Sequence, residues 1–413
     1  MISPPRTRTD QADPRRSRAT AKRRGAGRAF VAALLLVLTA CSGAPPKLIT
    51  ARPLPEIDRR YDVIPLWYRQ AQGGYALEPA LMRVTIAGGR CYFVDTTGYI
   101  TALDAYTGAR LWRIEPPAPH GDEDPSALLS GALAVSDTLM LAGTREGELL
   151  ALDTARGGVR WQTALSSEVL APPAVDAGIV AVHSNDGRFY ALSAADGHVL
   201  WSYDSSVPAL SLRGSSRPLI VDGRVIGGLD NGKVVALTAS DGQVQWETTV
   251  AVPEGRSELD RLVDIDADPL YVDGVVFAAA YHGRVVALSA LSGRILWSRD
   301  ISAHTGMAVS GDLLIVSASD GTVWGLDQGT GAVLWRQDEL VDRTITAPVI
   351  QSGRIAIGDA EGFIHWLTPD DGSFVARSHV DDTGITSLTA ADGILYAVSA
   401  TGELHALRIR AVR

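Results

Sequence analysis

"DGRFYALSAADGHVLW", residues 186–201, decides the fold. Its first half, from Arg188 to Ser193, is rich in aromatic and aliphatic residues, as a strand requires. "AADG" is turn chemistry, with glycine where a positive φ is wanted. "HVLW" then reads as a second strand. Related phrases stand at 97–112 (TGYITALDAYTGARLW), 146–161 (EGELLALDTARGGVRW), 231–246 (NGKVVALTASDGQVQW), 282–297 (HGRVVALSALSGRILW), 320–335 (DGTVWGLDQGTGAVLW) and 361–376 (EGFIHWLTPDDGSFVA). In six of the seven, the leading glycine and the closing tryptophan are 14 residues apart; the seventh has Ala376 in the tryptophan's place.

Each phrase is preceded by another strand-like run, such as "RVIGGLD" (224–230) or "RIAIGDA" (354–360), and often by a short one containing proline, such as "TAPVI" (346–350). Four strands per repeat of about 38–51 residues, with no helical stretch after the leader, predict an all-β fold, an eight-bladed β-propeller with four-stranded blades. An eighth copy, "TGELHALR" (401–408), stops before its fourth strand. "IPLWYRQA" (64–71) is a tryptophan strand with no phrase before it, so it is expected to complete the eighth blade. That N-terminal strand closes the ring and pairs both terminal edges. The repeat resembles the PQQ-type propeller repeat over residues 61–413.

Residues 1–40 differ from the rest. Nine Lys/Arg and two acids precede or flank the apolar run "AFVAALLLVLTA" (29–40), which ends at Cys41. A basic start, a short apolar run and a small-residue exit read as an export signal. The run is shorter than the roughly 20 residues a spanning helix needs. "LTAC" resembles the lipobox of bacterial lipoproteins, which implies cleavage before Cys41 and lipidation of that cysteine, and Ser42 after it, where Asp is absent, resembles the signal for sorting to the outer membrane, facing the periplasm. Residues 41–60, Pro-rich and polar, are expected to form a flexible tether. Removing 1–40 would take the net charge from −9 to −16. Such acidity argues against nucleic-acid binding. Cys91, in the strand-like "RCYFVD", is expected to be a small buried residue.

No catalytic motif is present: there is no Walker loop, HExxH or GxSxG, and the eight histidines lack metal-ligand spacing. No adjacent cysteine pair stands where quinone-dependent dehydrogenases of this repeat class have one. "DIDADPLYVDGV", from Asp264, imitates the start of a calcium loop, but Pro269 and Val275 stand where glycine and glutamate are needed. It reads as an acidic surface loop, so no metal, cofactor or catalytic residue is assigned. Two junctions between repeats are long, Trp201 to Pro218 and Trp246 to Pro269. They belong to consecutive blades and should be neighbours on one face of the ring. Loops inserted on a rigid scaffold commonly carry function.

In these junctions the chain resembles the BamB family, the propeller lipoproteins of the β-barrel assembly machinery (BAM complex). The matching stretches are "SLRG" (211–214), "LDNGKV" (229–234), "ELDRLVDIDADP" (258–269), "GVVFAAAYHG" (274–283) and "GDAEGFIHWL" (358–367). The resemblance implies a non-catalytic scaffold that docks on a periplasmic POTRA domain of BamA and assists folding and insertion of outer-membrane barrels. It implies that Leu210, Leu212, Arg213, Asp264 and Asp266 make that contact, and unfolded barrel clients are a further expected partner. An internal role stays open, with the leucines folded inward and Arg213 paired to Asp264 or Asp266. Two other function classes also stay open: a quinone-dependent dehydrogenase, and a ligand-binding sensor propeller.

Overall fold

Each repeat forms four antiparallel strands, and the described residues form eight such sheets. The computed structural model describes residues 52–70, 83–95, 98–116, 129–136, 138–206, 208, 216–253, 256 and 262–413. Cys41, Leu210, Leu212 and Arg213 lie outside the described residues. Blades 1 to 7 follow the chain at 85–114, 129–164, 174–204, 219–249, 270–299, 306–337 and 349–379. Blade 8 takes three strands from 385–411, and Tyr61–Arg69 supplies the fourth, antiparallel to Leu404–Ala411. The N-terminal strand therefore closes the ring, as its unpaired tryptophan predicted. Among the described residues there is no α-helix.

The burial pattern explains the repeat's composition. The two middle strands of a blade pack against neighbours on both faces, so Val234–Leu237 and Val225–Gly228 are buried continuously. The outer strand Val244–Thr249 buries only Trp246. Eight apolar clusters result, each between consecutive blades, with the eighth joining blade 8 to blade 1. Cys91 is fully buried in that last cluster, and burial pushes its thiol pKa well up.

The tryptophans staple blade to blade. Trp246 Nε1 donates to the Ala290 carbonyl of the next blade at 3.0 Å, and Trp201 does the same to Ala239 at 2.9 Å. Trp67 donates to Ala105 across the closure at 3.0 Å. The receiving turn needs glycine twice over: Gly242 has a φ of 71°, and a methyl group there would lie 2.6 Å from the Trp201 ring.

Within each blade the tryptophan sits opposite a small residue: Ala191 faces Trp201, Ala236 faces Trp246, and Gly325 faces Trp335. In blade 7 the pair is exchanged, with Trp366 opposite Ala376. The missing tryptophan of the seventh phrase is thus carried one strand inward, so one large and one small side chain still fill the layer. Its indole donates to Gln351 Oε1 at 2.7 Å, and Gln351 Nε2 donates to the Gly393 and Leu407 carbonyls of blade 8. The bridge to the next blade is kept by a different route.

The last part of the segment expected to be a tether is docked. Leu54 and Ile57 pack on the cluster between blades 6 and 7. Arg343 and Arg377 donate to the carbonyls of Arg52 and Pro55, at 2.8 and 2.7 Å. Arg343 is itself held by the buried Asp359 at 2.7 Å. Two guanidiniums binding backbone carbonyls fix the chain along the outer edge of blade 7 before it enters blade 8.

Candidate functional site

Strand direction puts every junction between blades on one face, together with the turn between the two middle strands. The described ends of the two long junctions lie there, 216–218 entering blade 4 and 262–269 entering blade 5. In the second, from Val263 to Asp268, apolar residues alternate with aspartates. Val263, Ile265 and Ala267 point into the apolar clusters on either side of blade 5. The aspartates at 264, 266 and 268 take the opposite side, as period-two geometry demands. The close fit depends on a glycine in blade 4: a methyl group on Gly228 would lie 2.4 Å from Ile265 Cγ2.

This corrects the expectation of an acidic surface loop. Asp264 is 1% exposed, and Asp230, from the inner turn of blade 4, is 8% exposed beside it. Burial, reinforced by the charge of Asp264, pushes the Asp230 carboxyl pKa up to about 7. Burial and the charges of Asp264 and Asp230 push Asp266 up to about 7 as well. Three carboxyl groups therefore share a partly dry socket that favours a cation or a proton.

Asp268, one residue pair further on, ties the site together. Its Oδ1 accepts the Arg217 backbone N–H at 2.9 Å, joining the end of the first long junction to the second. Its Oδ2 pairs with Arg83 at 2.7 Å. Arg83 precedes blade 1 and Asp268 precedes blade 5, half a turn apart in a ring of eight, so this pair reaches across the channel mouth. Both groups are part-exposed, so the pair contributes little to stability and serves to position the junctions.

The first junction re-enters the described residues at Ser216, which is fully buried. Ser216 Oγ accepts the Gly228 N–H at 3.1 Å, and its carbonyl lies 3.4 Å from His183 Nδ1. His183 stacks on Phe189 with ring centroids 4.2 Å apart. Burial lowers its pKa to about 4, so it stays neutral and anchors the loop end without carrying charge.

Of the five residues expected at the contact, the structure places Asp264 and Asp266 together; the other three lie outside the described residues. Asp230, Ser216 and Arg83 were not singled out from sequence, and Asp268 only as the third aspartate of the apparent calcium loop. The double glycine of "VIGGLD" was the available signal for the first two, because paired glycines inside a strand mark a close backbone approach. Nothing local marks Arg83.

The socket has a testable pH dependence. Asp230 and Asp266 have folded pKa values above the unfolded value near 4. Their protonated forms are favoured by folding, so the gain is full below about pH 4 and is lost as pH rises through about 7. Thermal unfolding should show the Asp230→Asn/Asp266→Asn double variant losing less stability than the wild type between pH 5.5 and 8. Parallel pH profiles for the two proteins would contradict the burial argument.

The family model described as "Outer membrane protein assembly factor BamB" matches residues 96–337 and 320–411. A protein of that name from Alkalilimnicola ehrlichii is 42% identical over 387 residues, covering 92% of this chain and 97% of the relative. The Yersinia pestis protein of that name is 35% identical over 366 residues, covering 87% and 93%. Among solved structures, BamB from Moraxella catarrhalis superposes with a TM-score of 0.74 at 27% identity, covering 84% of this chain and all of that one. A quinohemoprotein alcohol dehydrogenase from Pseudomonas putida gives a TM-score of 0.63 at 12% identity, covering 85% of this chain and 77% of that one, a likeness of fold alone.

Proposed function

This chain belongs to the BamB family of outer membrane protein assembly factors, and from that premise we propose that it is a non-catalytic scaffold of the β-barrel assembly machinery. It associates with the outer membrane and works in the complex that contains BamA. In the finer reading, residues 1–40 are a cleaved signal, Cys41 carries the lipid, and the propeller faces the periplasm. The two long junctions on one face then receive a POTRA domain of BamA. What supports this reading is the meeting of the described ends of those junctions, Arg217 of the first against Asp268 of the second, next to the buried Asp230 and Asp264.

A division of labour follows from the chemistry. Leu210 and Leu212, two residues apart, would present their side chains in one direction from an extended segment. Arg213 supplies a planar donor fork, which suits interfaces better than lysine does. The aspartate socket of the adjacent junction is the natural counter-charge for that guanidinium. It can hold Arg213 in place for the partner.

Affinity capture of the lipidated chain from detergent-solubilised outer membranes tests the reading. The expected result is co-purification of a POTRA-containing barrel protein in stoichiometric amount. A folded, membrane-anchored chain that brings down no such protein would overturn it. The dehydrogenase alternative rests on the shared ring; dye reduction by purified protein with added quinone cofactor and calcium would revive it.

A further inference from the structure

A second cluster lies on the same face at blade 8, away from the long junctions. Asp381 stands in the junction from blade 7 to blade 8, Glu403 in the inner turn of blade 8, and His405 at the start of strand Leu404–Ala411. One ligand-type atom from each lies within 4.8 Å of the other two. His405 Nε2 is 3.7 Å from Glu403 Oε2 and 3.9 Å from Asp381 Oδ2. These separations are too long for hydrogen bonds. The Nε2 atom is buried and has no hydrogen-bond partner among the described residues. A buried ring nitrogen aimed at two carboxylates without bonding to either needs an explanation.

An ion between them supplies one. A zinc-class cation sits about 2.0–2.2 Å from nitrogen and oxygen ligands, which places neighbouring ligand atoms about 3–4 Å apart. Both measured separations fall in that window. Glu403 and His405 are two apart and share one face of the chain. Asp381 is fixed by Thr383, whose backbone N–H donates to Oδ1 at 2.6 Å and whose hydroxyl donates to the same atom, while Oδ2 is the oxygen that faces His405. The Tyr68 ring, from the closing strand, stacks over His405 at 6.1 Å.

We propose that Asp381, Glu403 and His405 form a binding site for one divalent transition-metal ion, of which zinc is the type. One imidazole and two carboxylates favour this class over calcium or magnesium, which take oxygen ligands alone. The ion would tie the blade 7–8 junction to the strand on which the N-terminal strand closes, and so would resist opening of the ring at its seam.

The test uses the untagged full-length chain, stripped with a chelator and titrated calorimetrically with zinc chloride. One Zn²⁺ per chain is expected. The dissociation constant should rise at least tenfold in His405→Gln and in Glu403→Gln, and should be unchanged in His379→Ala, whose exposed ring pairs with Asp382 nearby. Zinc should raise the melting temperature of the wild type and of His379→Ala but of neither ligand variant. Absence of one-to-one binding, or wild-type affinity in both ligand variants, overturns the proposal, as does loss of binding in His379→Ala alone. If a ligand variant does not fold, anomalous scattering at the zinc edge from wild-type crystals decides. A peak within about 2.0–2.2 Å of the three ligand atoms supports the site, and a peak only elsewhere rejects it.

Discussion

Replacing Trp246 with alanine is expected to cost about 3–5 kcal/mol, as large-to-small changes of buried aromatic residues do. The indole is 8% exposed, fills the layer against Ala236, and presses on the turn at Gly293. The substitution also strands the Ala290 carbonyl, which then has no indole donor. Trp112 offers an internal comparison at the equivalent position of blade 1. It is only half-buried, and its Nε1 has no hydrogen-bond partner among the described residues. Where other blades press tryptophan onto the next turn, Ile114 presses onto Gly157. Trp112→Ala should therefore cost clearly less than Trp246→Ala in urea unfolding. Equal costs would mean that the indole–carbonyl staple contributes nothing beyond area.

Changing Leu210, Leu212 and Arg213 together to alanine should weaken capture of the POTRA-containing partner by at least about 100-fold. Burying each leucine in a partner is worth roughly 1.5–3 kcal/mol, and about 2.7 kcal/mol already corresponds to 100-fold. The losses incurred on association absorb part of the sum, which is why the lower bound is the useful figure. The melting temperature separates the two roles. A docking role leaves it near the wild-type value while binding is lost. Leucines folded inward as a loop core would lower it, and retained binding by a folded triple variant would reject the assignment.

Sequence and structure contributed differently to the blade interfaces and to the site. The ring was legible because each phrase carries its own strand and turn, six of the seven full phrases end in tryptophan, and the count of strands leaves one open place for Tyr61–Arg69. Blade 7 was not legible in the same way. Ala376 reads as a lost staple until the cross-strand register sets Trp366 opposite it. The socket shows the same limit. "DIDADP" declares an alternation but not which side is dry, and the burial of Asp264 depends on Asp230 and Gly228 from another blade. The docked segment 52–60 is polar and proline-rich in sequence. It is ordered by Arg343 and Arg377, nearly 300 residues or more downstream.

By itself, then, the sequence determined the eight-bladed ring, its closure and the position of its two long junctions. Those follow from short-range alternation and turn chemistry repeated at a regular period. Only the tertiary structure decided which aspartates are buried, how blade 7 replaces its staple, and that Asp381, Glu403 and His405 converge. Burial and convergence are set by side chains from different repeats, and no local pattern encodes the distance between them.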